Sequence, residues 1–193
     1  MPFTAPEAWR QGDLLLRSFR PGDGPELNRA TQSSFEHLRP WMAWASPDTT
    51  VEDSEAFARE GFARWLLGEE FGVAVWRDER LVAATGFHLR GGRRLDDATA
   101  EIGMWVRADE AGKGLGTRLL QAMVDWADAA WPWRRLVWTC DGRNLASARV
   151  AEKCGFQLEG RLREPVAGDP LQRETTLVYG LLAADPRPWR GGG

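Results

Sequence analysis

The stretch Ala111–Thr117 reads A-G-K-G-L-G-T and constrains the fold of this chain more than any other segment. Strand-type residues precede it over 100–106, and the pattern of an amphipathic helix follows from Leu115 to about Ala130. A strand that enters a helix through three glycines forms a loop of outward-pointing backbone N–H groups, and the helix start adds about half a positive charge. The chain is therefore predicted to contain a strand–loop–helix unit that binds a phosphate group.

Two familiar phosphate-binding motifs fit this loop poorly. A Walker A loop places its lysine after the last glycine, whereas Lys113 lies between two glycines. A dinucleotide-binding loop, G-x-G-x-x-G, would start at Gly112 and need a third glycine where Thr117 stands. No clear acidic residue follows at a strand end about 20 positions on. A nucleotide-binding module is therefore kept only as an alternative.

The loop resembles instead the pyrophosphate-binding loop of the GNAT family of N-acetyltransferases, whose pattern is R/Q-x-x-G-x-G/A. Ala111 stands where that family prefers Arg or Gln. Backbone amides carry most of this binding, so the departure at Ala111 is expected to weaken the interaction with the pyrophosphate without abolishing it.

Further motifs resemble the RimJ/RimL-type branch of this family, which includes the ribosomal-protein N-terminal acetyltransferases. The chain has N-x-x-S from Asn144, E-K-x-G-F from Glu152 and E-G-x-L-R from Glu159. An upstream segment, H-L-R-P-W-M-A-W from His37, also resembles that branch. The matches run in order over roughly 14–182, and chance would rarely produce such a series.

The resemblance implies an α+β protein with the GNAT fold: a mixed central β-sheet with splayed fourth and fifth strands, and helices on both faces. Residue patterns agree with it. They predict strands over 12–19, 71–76, 81–90, 100–106, 135–140, 156–166 and 174–182. They also predict helices that end near His37, start at Thr50, start at Leu115, and run from the cap Asn144 to Gly155. We expect residues 1–184 to form a single domain and 185–193 a flexible C-terminal tail.

The resemblance also implies acetyl-CoA as the cosubstrate and no metal. Backbone groups of Met104 and Val106 would pair with the pantetheine arm in the gap between the splayed strands, and an N–H near Met104 would polarise the thioester carbonyl. The residues expected to bind the cofactor are Met104, Trp105, Val106, Ala111, Gly112, Lys113, Gly114, Leu115, Gly116, Thr117, Asn144 and Ser147.

Three residues are candidates for the chemistry of acetyl transfer. By the resemblance, Ser147 would protonate the CoA thiolate, although a serine one turn after the cap Asn144 also has a purely structural interpretation. Glu164, two positions before Val166, and Glu101 are candidates for the general base, and either could equally be a solvated carboxylate. An α-amine is partly neutral at about pH 8 and needs no strong base.

His37, Trp41 and Trp44 are the residues expected to bind the acceptor, because this segment walls the acceptor site in the family. The two tryptophans could stack on a substrate or fill the core. His37 and His88 are far apart in the sequence, and neither belongs to a cluster of metal-ligating residues. Both are interpreted as structural or surface residues, except that His37 lies in the segment expected to flank the acceptor.

Composition narrows the remaining possibilities. A chain of 193 residues with 43% hydrophobic and 27% charged residues suits one globular domain. The net charge of −3 argues against a nucleic-acid partner, and no apolar run approaches the length of a membrane span. No signal peptide is visible, and Cys140 and Cys154 are expected to be reduced thiols, so a cytoplasmic location is predicted. A homodimer is left open.

These features together predict an acetyl-CoA-dependent N-acetyltransferase that uses direct transfer through a ternary complex. The acceptor would be a primary amine, either the N-terminal α-amine of a protein or a small molecule such as an amino acid, a polyamine or an antibiotic. The alternative from another class is a non-catalytic domain that binds or senses acyl-CoA.

Overall fold

The computed structural model describes residues 3–163 and 171–191, over which eight strands form one mixed sheet in the order β1-β2-β3-β4-β5-β6-β8-β7. The strands are β1 (Ala8–Gln11), β2 (Leu14–Ser18), β3 (Phe71–Arg77), β4 (Arg80–His88), β5 (Thr99–Val106), β6 (Arg135–Asp141), β7 (Gln157–Arg163) and β8 (Thr175–Leu182). The helices are α1 (Gly24–Gln32), α2 (Phe35–Leu38), α3 (Val51–Leu67), α4 (Leu115–Ala130) and α5 (Leu145–Lys153). Short 3-10 helices lie in several of the connections.

Strands β5 and β6 are parallel neighbours that separate along their length. Three register pairs join them, and the last pair is Glu101 with Val137. A parallel pair needs a crossover connection, and α4 supplies it. The predicted splay of these two strands is confirmed.

The first predicted strand, over 12–19, is β2 in the structure, and β1 precedes it as its hairpin partner. β1 and β2 pair antiparallel around Gly12, whose φ of +60° lies in the left-handed region that favours glycine. Leu14 and Leu16 of β2 are fully buried, which explains the alternation in the sequence. β1 is a partly exposed edge strand without such a pattern, so the sequence did not predict it.

The first predicted helix, expected to reach His37, is broken into α1 and α2 at Ser33 and Ser34. The hydroxyl of Ser34 accepts a hydrogen bond from the N–H of Ala108 at 3.0 Å, and Arg107 donates to Ser33 Oγ at 3.2 Å. Serine side chains compete with the helical backbone for hydrogen bonds. The break thereby connects α1 to the segment that leads into the glycine loop.

The predicted caps of the later helices are present. Thr50 accepts a hydrogen bond from the N–H of Asp53 at 3.1 Å, and the Asp53 carboxylate accepts from the N–H of Thr50 at 2.9 Å. Asn144 Oδ1 accepts from the N–H of Ser147 at 3.0 Å, which caps α5. Gly155 follows α5 with a φ of +76°, as expected for a glycine after a helix end.

The two faces of the sheet have different helices and different cores. Residues of α4 and α5 pack with Val73 and Val75 on one face, together with residues near the end of α3, whereas residues of α1 and the middle of α3 pack with Ala74 and Trp76 on the other. Aromatic rings dominate one end of the α4 face, where the rings of Trp131 and Phe87 lie 4.8 Å apart. The members of this aromatic cluster are Trp65, Phe71, Phe87, Trp126, Trp131 and Trp133. Each of these large buried rings removes a large apolar area from water and so contributes strongly to the stability of this face.

The tail that the sequence predicts to be flexible makes contacts over its described part. Arg187 forms a forked ion pair with Asp128 of α4, with both distances at 2.9 Å. The indole N–H of Trp189 donates to Asp125 at 3.2 Å, and Arg190 pairs with the same carboxylate. These contacts attach the described part of the tail to α4.

Candidate active site

The glycine loop connects β5 to α4 with the geometry that the sequence predicts. Gly112 and Gly114 have φ values of +74° and +83°, and Gly114 is the N-cap of α4. A Cβ at either glycine would have no other atom of the protein within 4 Å. Both glycines therefore combine a left-handed backbone with an open approach to the loop.

The backbone of this loop fits a pyrophosphate group. Within the described parts of the chain, the N–H groups of residues 112–117 make no hydrogen bond. The first N–H groups of a helix have no intrahelical partner, and the helix dipole adds positive potential there. Lys113 is exposed on the same loop. Acyl-CoA carries such a pyrophosphate, so these residues fit the expected cosubstrate.

The remaining predicted residues of the loop pack it onto α5. Ala111 is half-buried and Leu115 is buried in the core of the α4 face. A Cβ at Gly116 would stand 3.5 Å from Val150 of α5. The carbonyl of Thr117 lies 3.6 Å from Cys154 Sγ. α4 and α5 therefore approach closely just beside the loop.

Ion pairs hold the entrance to the loop in place. The buried carboxylate of Glu110 accepts from Arg77 at 3.0 Å and from Arg80 at 3.1 Å. Arg77 also pairs with Asp13 at 2.8 Å, and Arg118 of α4 contacts that carboxylate as well. Arg118 and Arg77 lower the pKa of Asp13 to about 2. The loop is thereby tied to the β1–β2 and β3–β4 turns.

The gap between β5 and β6 follows directly on their last register pair. Met104 and Val106 pack toward the core of the α4 face, whereas Trp105 packs toward the opposite core. The edge of β5 that faces β6 has no strand partner beyond Glu101 within the described residues. An extended chain such as the pantetheine arm can pair with this edge.

Ser147 lies on the α4 face beside β6. Its hydroxyl oxygen accepts a hydrogen bond from the indole N–H of Trp138 at 3.1 Å. An indole N–H is a donor only, so this contact does not use the hydroxyl hydrogen of Ser147, which Cys140 can accept. The sequence analysis did not single out Trp138.

Neither cysteine has the environment of a nucleophile. Burial raises the pKa of the Cys140 thiol, although a hydrogen bond from Ser147 acts in the opposite direction. Burial raises the pKa of Cys154 to about 12. The thiolate is the reactive form of cysteine, and it is therefore scarce at both positions near neutral pH.

Glu101 lies on the other face of the sheet, at the point where the gap opens. Its carboxylate accepts a hydrogen bond from Thr139 of β6 at 3.3 Å and lies 3.9 Å from Arg90 Nε. Successive strand residues point to opposite faces, so Trp138 contacts Ser147 on one side of β6 and Thr139 contacts Glu101 on the other. The gap therefore has a hydroxyl on one face and a carboxylate on the other.

The predicted acceptor segment lies on the surface. Trp41 lines a cleft of about 260 Å³ together with Arg39, Pro40, Arg143 and Leu171. Trp44 is 52% exposed, and its ring lies 6.2 Å from that of Trp105. Neither tryptophan plugs the core.

Two further predicted residues lie outside this arrangement. His37 is exposed in the last turn of α2. Glu164 falls outside the described residues, as does Val166.

One pair near the site was missed from the sequence. Nδ1 of His88, on β4, forms a hydrogen bond with Oε1 of Glu70, which immediately precedes β3. The ring of His88 lies over Gly103 of β5, because a Cβ there would stand 3.0 Å from Nε2. An isolated glycine inside a strand often marks the close approach of another group, so Gly103 was the available signal.

The fold and the site together provide a helix start suited to an anionic group and a gap between two diverging strands suited to an extended chain. A family model described as "Acetyltransferase (GNAT) domain" matches residues 13–157. The chain is 33% identical over 136 residues to the L-methionine sulfoximine/L-methionine sulfone acetyltransferase of Pseudomonas paraeruginosa, covering 68% of this chain and 71% of that protein. It is 27% identical to the ribosomal-protein-serine acetyltransferase of Escherichia coli, covering 65% of each.

Solved structures agree at the level of the fold. RimL, a ribosomal L7/L12 alpha-N-protein acetyltransferase in complex with coenzyme A, superposes with a TM-score of 0.78 at 21% identity, over 89% of this chain and 95% of that one. The microcin C7 self immunity acetyltransferase MccE in complex with acetyl-CoA and AMP gives 0.79 at 20% identity, over 89% and 93%.

The chain belongs to the GNAT family of acetyltransferases. It is an N-acetyltransferase with acetyl-CoA as its cosubstrate, and the predicted GNAT fold is confirmed. Over the described ranges, no group of three or more His, Cys, Asp or Glu side chains is arranged to hold a metal ion. No helix in those ranges is both long and apolar enough to cross a bilayer.

Proposed function

We propose that this enzyme transfers the acetyl group directly to the α-amine of an acceptor, either a small molecule of the amino-acid type or the first residue of a protein. The observation that carries the proposal is the pair of side chains on the two faces of the gap. Ser147 lies on the face that carries the glycine loop, and Glu101 lies on the other, so the two substrates would meet between them.

Each part of the site has a proposed role. The N–H groups of the loop, over 111–117, hold the pyrophosphate, and Met104, Trp105 and Val106 line the pantetheine arm. Asn144 shapes the start of α5, and Ser147 donates a proton to the leaving sulfur. An N–H near Met104 polarises the thioester carbonyl.

The acceptor enters from the face of Glu101. Glu101, together with Glu164, attracts the ammonium group, and the segment that contains His37, Trp41 and Trp44 flanks the rest of the acceptor. Trp44 is exposed beside Trp105 of β5, which suits an aromatic wall next to a cation.

Relatives support an α-amine without choosing between its two sources. One relative is named for acetylation of L-methionine derivatives and another for a ribosomal-protein serine. A cytoplasmic location, a homodimer and the lack of a nucleic-acid partner stay predictions.

A thiol-release assay with acetyl-CoA tests the proposal. The acceptor panel contains free amino acids, methionine sulfone, peptides with a free α-amine, the same peptides with a blocked α-amine, and polyamines. We expect release with α-amines and none with the blocked peptides. Glu101→Gln should raise the KM of the acceptor about tenfold, which corresponds to about 1.4 kcal/mol. Tight CoA binding without turnover on any amine would favour the acyl-CoA-sensing alternative.

A further inference from the structure

Three glycines stand in register across the middle of the sheet, on the face of Glu101. Gly72 of β3 pairs with Gly86 of β4, and Gly86 pairs with Gly103 of β5. The imidazole of His88 lies across the last two, because a Cβ on Gly86 or Gly103 would stand 3.1 or 3.0 Å from Nε2. This row of glycines therefore lets the ring lie flat on the strands.

Glu70 determines which ring nitrogen carries the hydrogen. Burial raises the pKa of Glu70, but the hydrogen bond and charge of His88, with Arg90 and Arg64, outweigh burial and lower the pKa. An ionised carboxylate only accepts hydrogen bonds. A neutral His88 must then carry its hydrogen on Nδ1 and a lone pair on Nε2.

The free nitrogen faces the beginning of the gap. His88 is in register with Glu101, and its ring leans toward Gly103, two residues farther along β5. β5 and β6 have separated at that level, since their last pair is at Glu101. Within residues 3–163 and 171–191, Nε2 has no hydrogen-bond partner. Glu101, in contrast, already accepts from Thr139 and lies near Arg90.

We propose that His88 Nε2, with Glu70 as its positioning residue, is the base that takes a proton from the acceptor ammonium group. The proposal rests on the acetyl transfer proposed above. The N–H bond of the ammonium breaks as the Nε2–H bond forms, and the freed lone pair then attacks the thioester carbon. The C–N bond forms, the C–S bond breaks, and the nitrogen loses a second proton. One proton ends on the CoA sulfur and the other leaves His88 for solvent.

The charged groups around His88 set the expected dependence on pH. Glu70 precedes β3, Glu101 lies on the paired strand, Arg90 follows β4 and Arg64 belongs to α3. The acidic limb of the pH profile of kcat/KM should be present in the wild type and absent in His88→Gln.

Kinetics with two classes of amine separate a base from a merely structural residue. General base catalysis contributes about 100-fold or more. His88→Gln should therefore lower kcat/KM about 100-fold for a free amino acid whose α-amine is mostly protonated at the assay pH, and less for a peptide α-amine with a pKa of about 8. Glu70→Gln should have a similar effect, because its amide can donate to Nδ1 and move the hydrogen to Nε2. Glu69→Gln, at the neighbouring exposed carboxylate, is the matched control and should behave as wild type.

The Gly103→Ala variant tests the role of His88 without changing His88 itself, because the added methyl group meets only the ring of His88. It should displace the imidazole and reproduce the loss seen in His88→Gln. The double variant should be no slower than either single one.

Nuclear magnetic resonance reads the tautomer without any turnover. The chain has two histidines, so a His37→Gln variant assigns both imidazoles in a long-range proton–nitrogen spectrum. We expect the Nδ1–H tautomer for neutral His88 in the wild type and a change in Glu70→Gln.

The outcomes distinguish the two proposals. A wild type that acetylates no amine overturns the proposed function. An active wild type with unchanged kcat/KM in His88→Gln and Gly103→Ala overturns the role of His88, as does an Nε2–H tautomer in the wild type.

Discussion

At the scale of single residues, the indole of Trp138 determines how the Ser147 hydroxyl can act. The indole N–H occupies a lone pair of Ser147 Oγ at 3.1 Å, which orients the hydroxyl hydrogen away from Trp138. A weak acid such as serine contributes only if its hydrogen is already directed at the atom where charge develops.

Ser147→Ala should lower kcat about 10- to 100-fold, near the low end of general acid catalysis, with little change in the KM for acetyl-CoA. Trp138→Phe, which removes the indole donor and keeps a ring, should give a smaller loss. Steady-state kinetics with thiol detection measure both. A Ser147→Ala enzyme with the wild-type kcat would return Ser147 to a purely structural role in α5.

The environments of the two thiols predict that the reaction has no acetyl-enzyme intermediate. Burial raises the pKa of Cys140, and that of Cys154 to about 12, so little of the reactive thiolate forms at either residue near neutral pH. Acetyl-CoA without an acceptor should therefore leave no acetyl group on the protein by mass spectrometry. Iodoacetamide at mildly alkaline pH should label the half-buried Cys140 before the buried Cys154. A stable acetyl-enzyme would contradict direct transfer.

At the scale of elements, the glycine loop and the start of α4 together form the proposed binding site for the pyrophosphate. Gly114→Ala should destabilise the protein by about 1–2 kcal/mol, because a non-glycine residue must adopt the left-handed conformation. It should also weaken CoA binding at least tenfold, since the methyl group projects where the pyrophosphate approaches.

Gly68→Ala is the matched control for this prediction. Gly68 has a φ of +70° and a Cβ there would also meet nothing within 4 Å, but it lies at the end of α3. Both variants should unfold at similarly reduced urea concentrations, and calorimetry should show lost CoA affinity in Gly114→Ala alone. Equal CoA affinity in the two variants would move the pyrophosphate away from this loop.

The ion pairs around Glu110 support the same loop. Glu110→Gln leaves Arg77 and Arg80 without their buried carboxylate, and we expect a loss of about 1–3 kcal/mol, less than for a fully buried pair because both arginines are partly exposed. Asp109→Asn removes a 54% exposed partner of Arg80 and should cost about 1 kcal/mol or less. Urea unfolding compares them. If the two variants lost the same free energy of unfolding, the burial of Glu110 would not strengthen its ion pairs.

The elements show what a sequence can and cannot predict. The caps Thr50 and Asn144 and the loop glycines were predictable because their signals are local. The break at Ser33 was not, because its hydrogen bond comes from Arg107, far along the chain. The pair of His88 with Glu70 was missed for the same reason: two residues 18 positions apart meet only when β3 pairs with β4.

At the scale of the whole molecule, we expect α4 to couple ligand binding to global stability. Its start is the proposed pyrophosphate site, its middle is buried in the main core, and its C-terminal half binds the tail through Asp125 and Asp128. A ligand that binds only the folded state stabilises the whole domain.

Acetyl-CoA at 100 times its Kd should stabilise the protein by about 2.7 kcal/mol. For a chain of this size that corresponds to a rise in Tm of roughly 5–11 °C. Differential scanning calorimetry with acetyl-CoA, desulfo-CoA and pantetheine measures it. We expect acetyl-CoA and desulfo-CoA to raise the Tm by similar amounts. Pantetheine lacks the pyrophosphate, and its effect on the Tm should be much smaller. Equal shifts with all three would argue against pyrophosphate binding as the main contact.

The aromatic cluster also gives the protein an internal optical probe. The rings of Trp131 and Trp133 are nearly parallel, with centroids 5.7 Å apart and an interplanar angle of 13°, so the two indoles are close enough for their excited states to interact. Trp44 lies at the other extreme, 52% exposed beside Trp105. A soluble quencher therefore reaches Trp44 and not the cluster. Emission from the aromatic cluster should follow the integrity of the core, and emission from Trp44 should follow events at the proposed acceptor site.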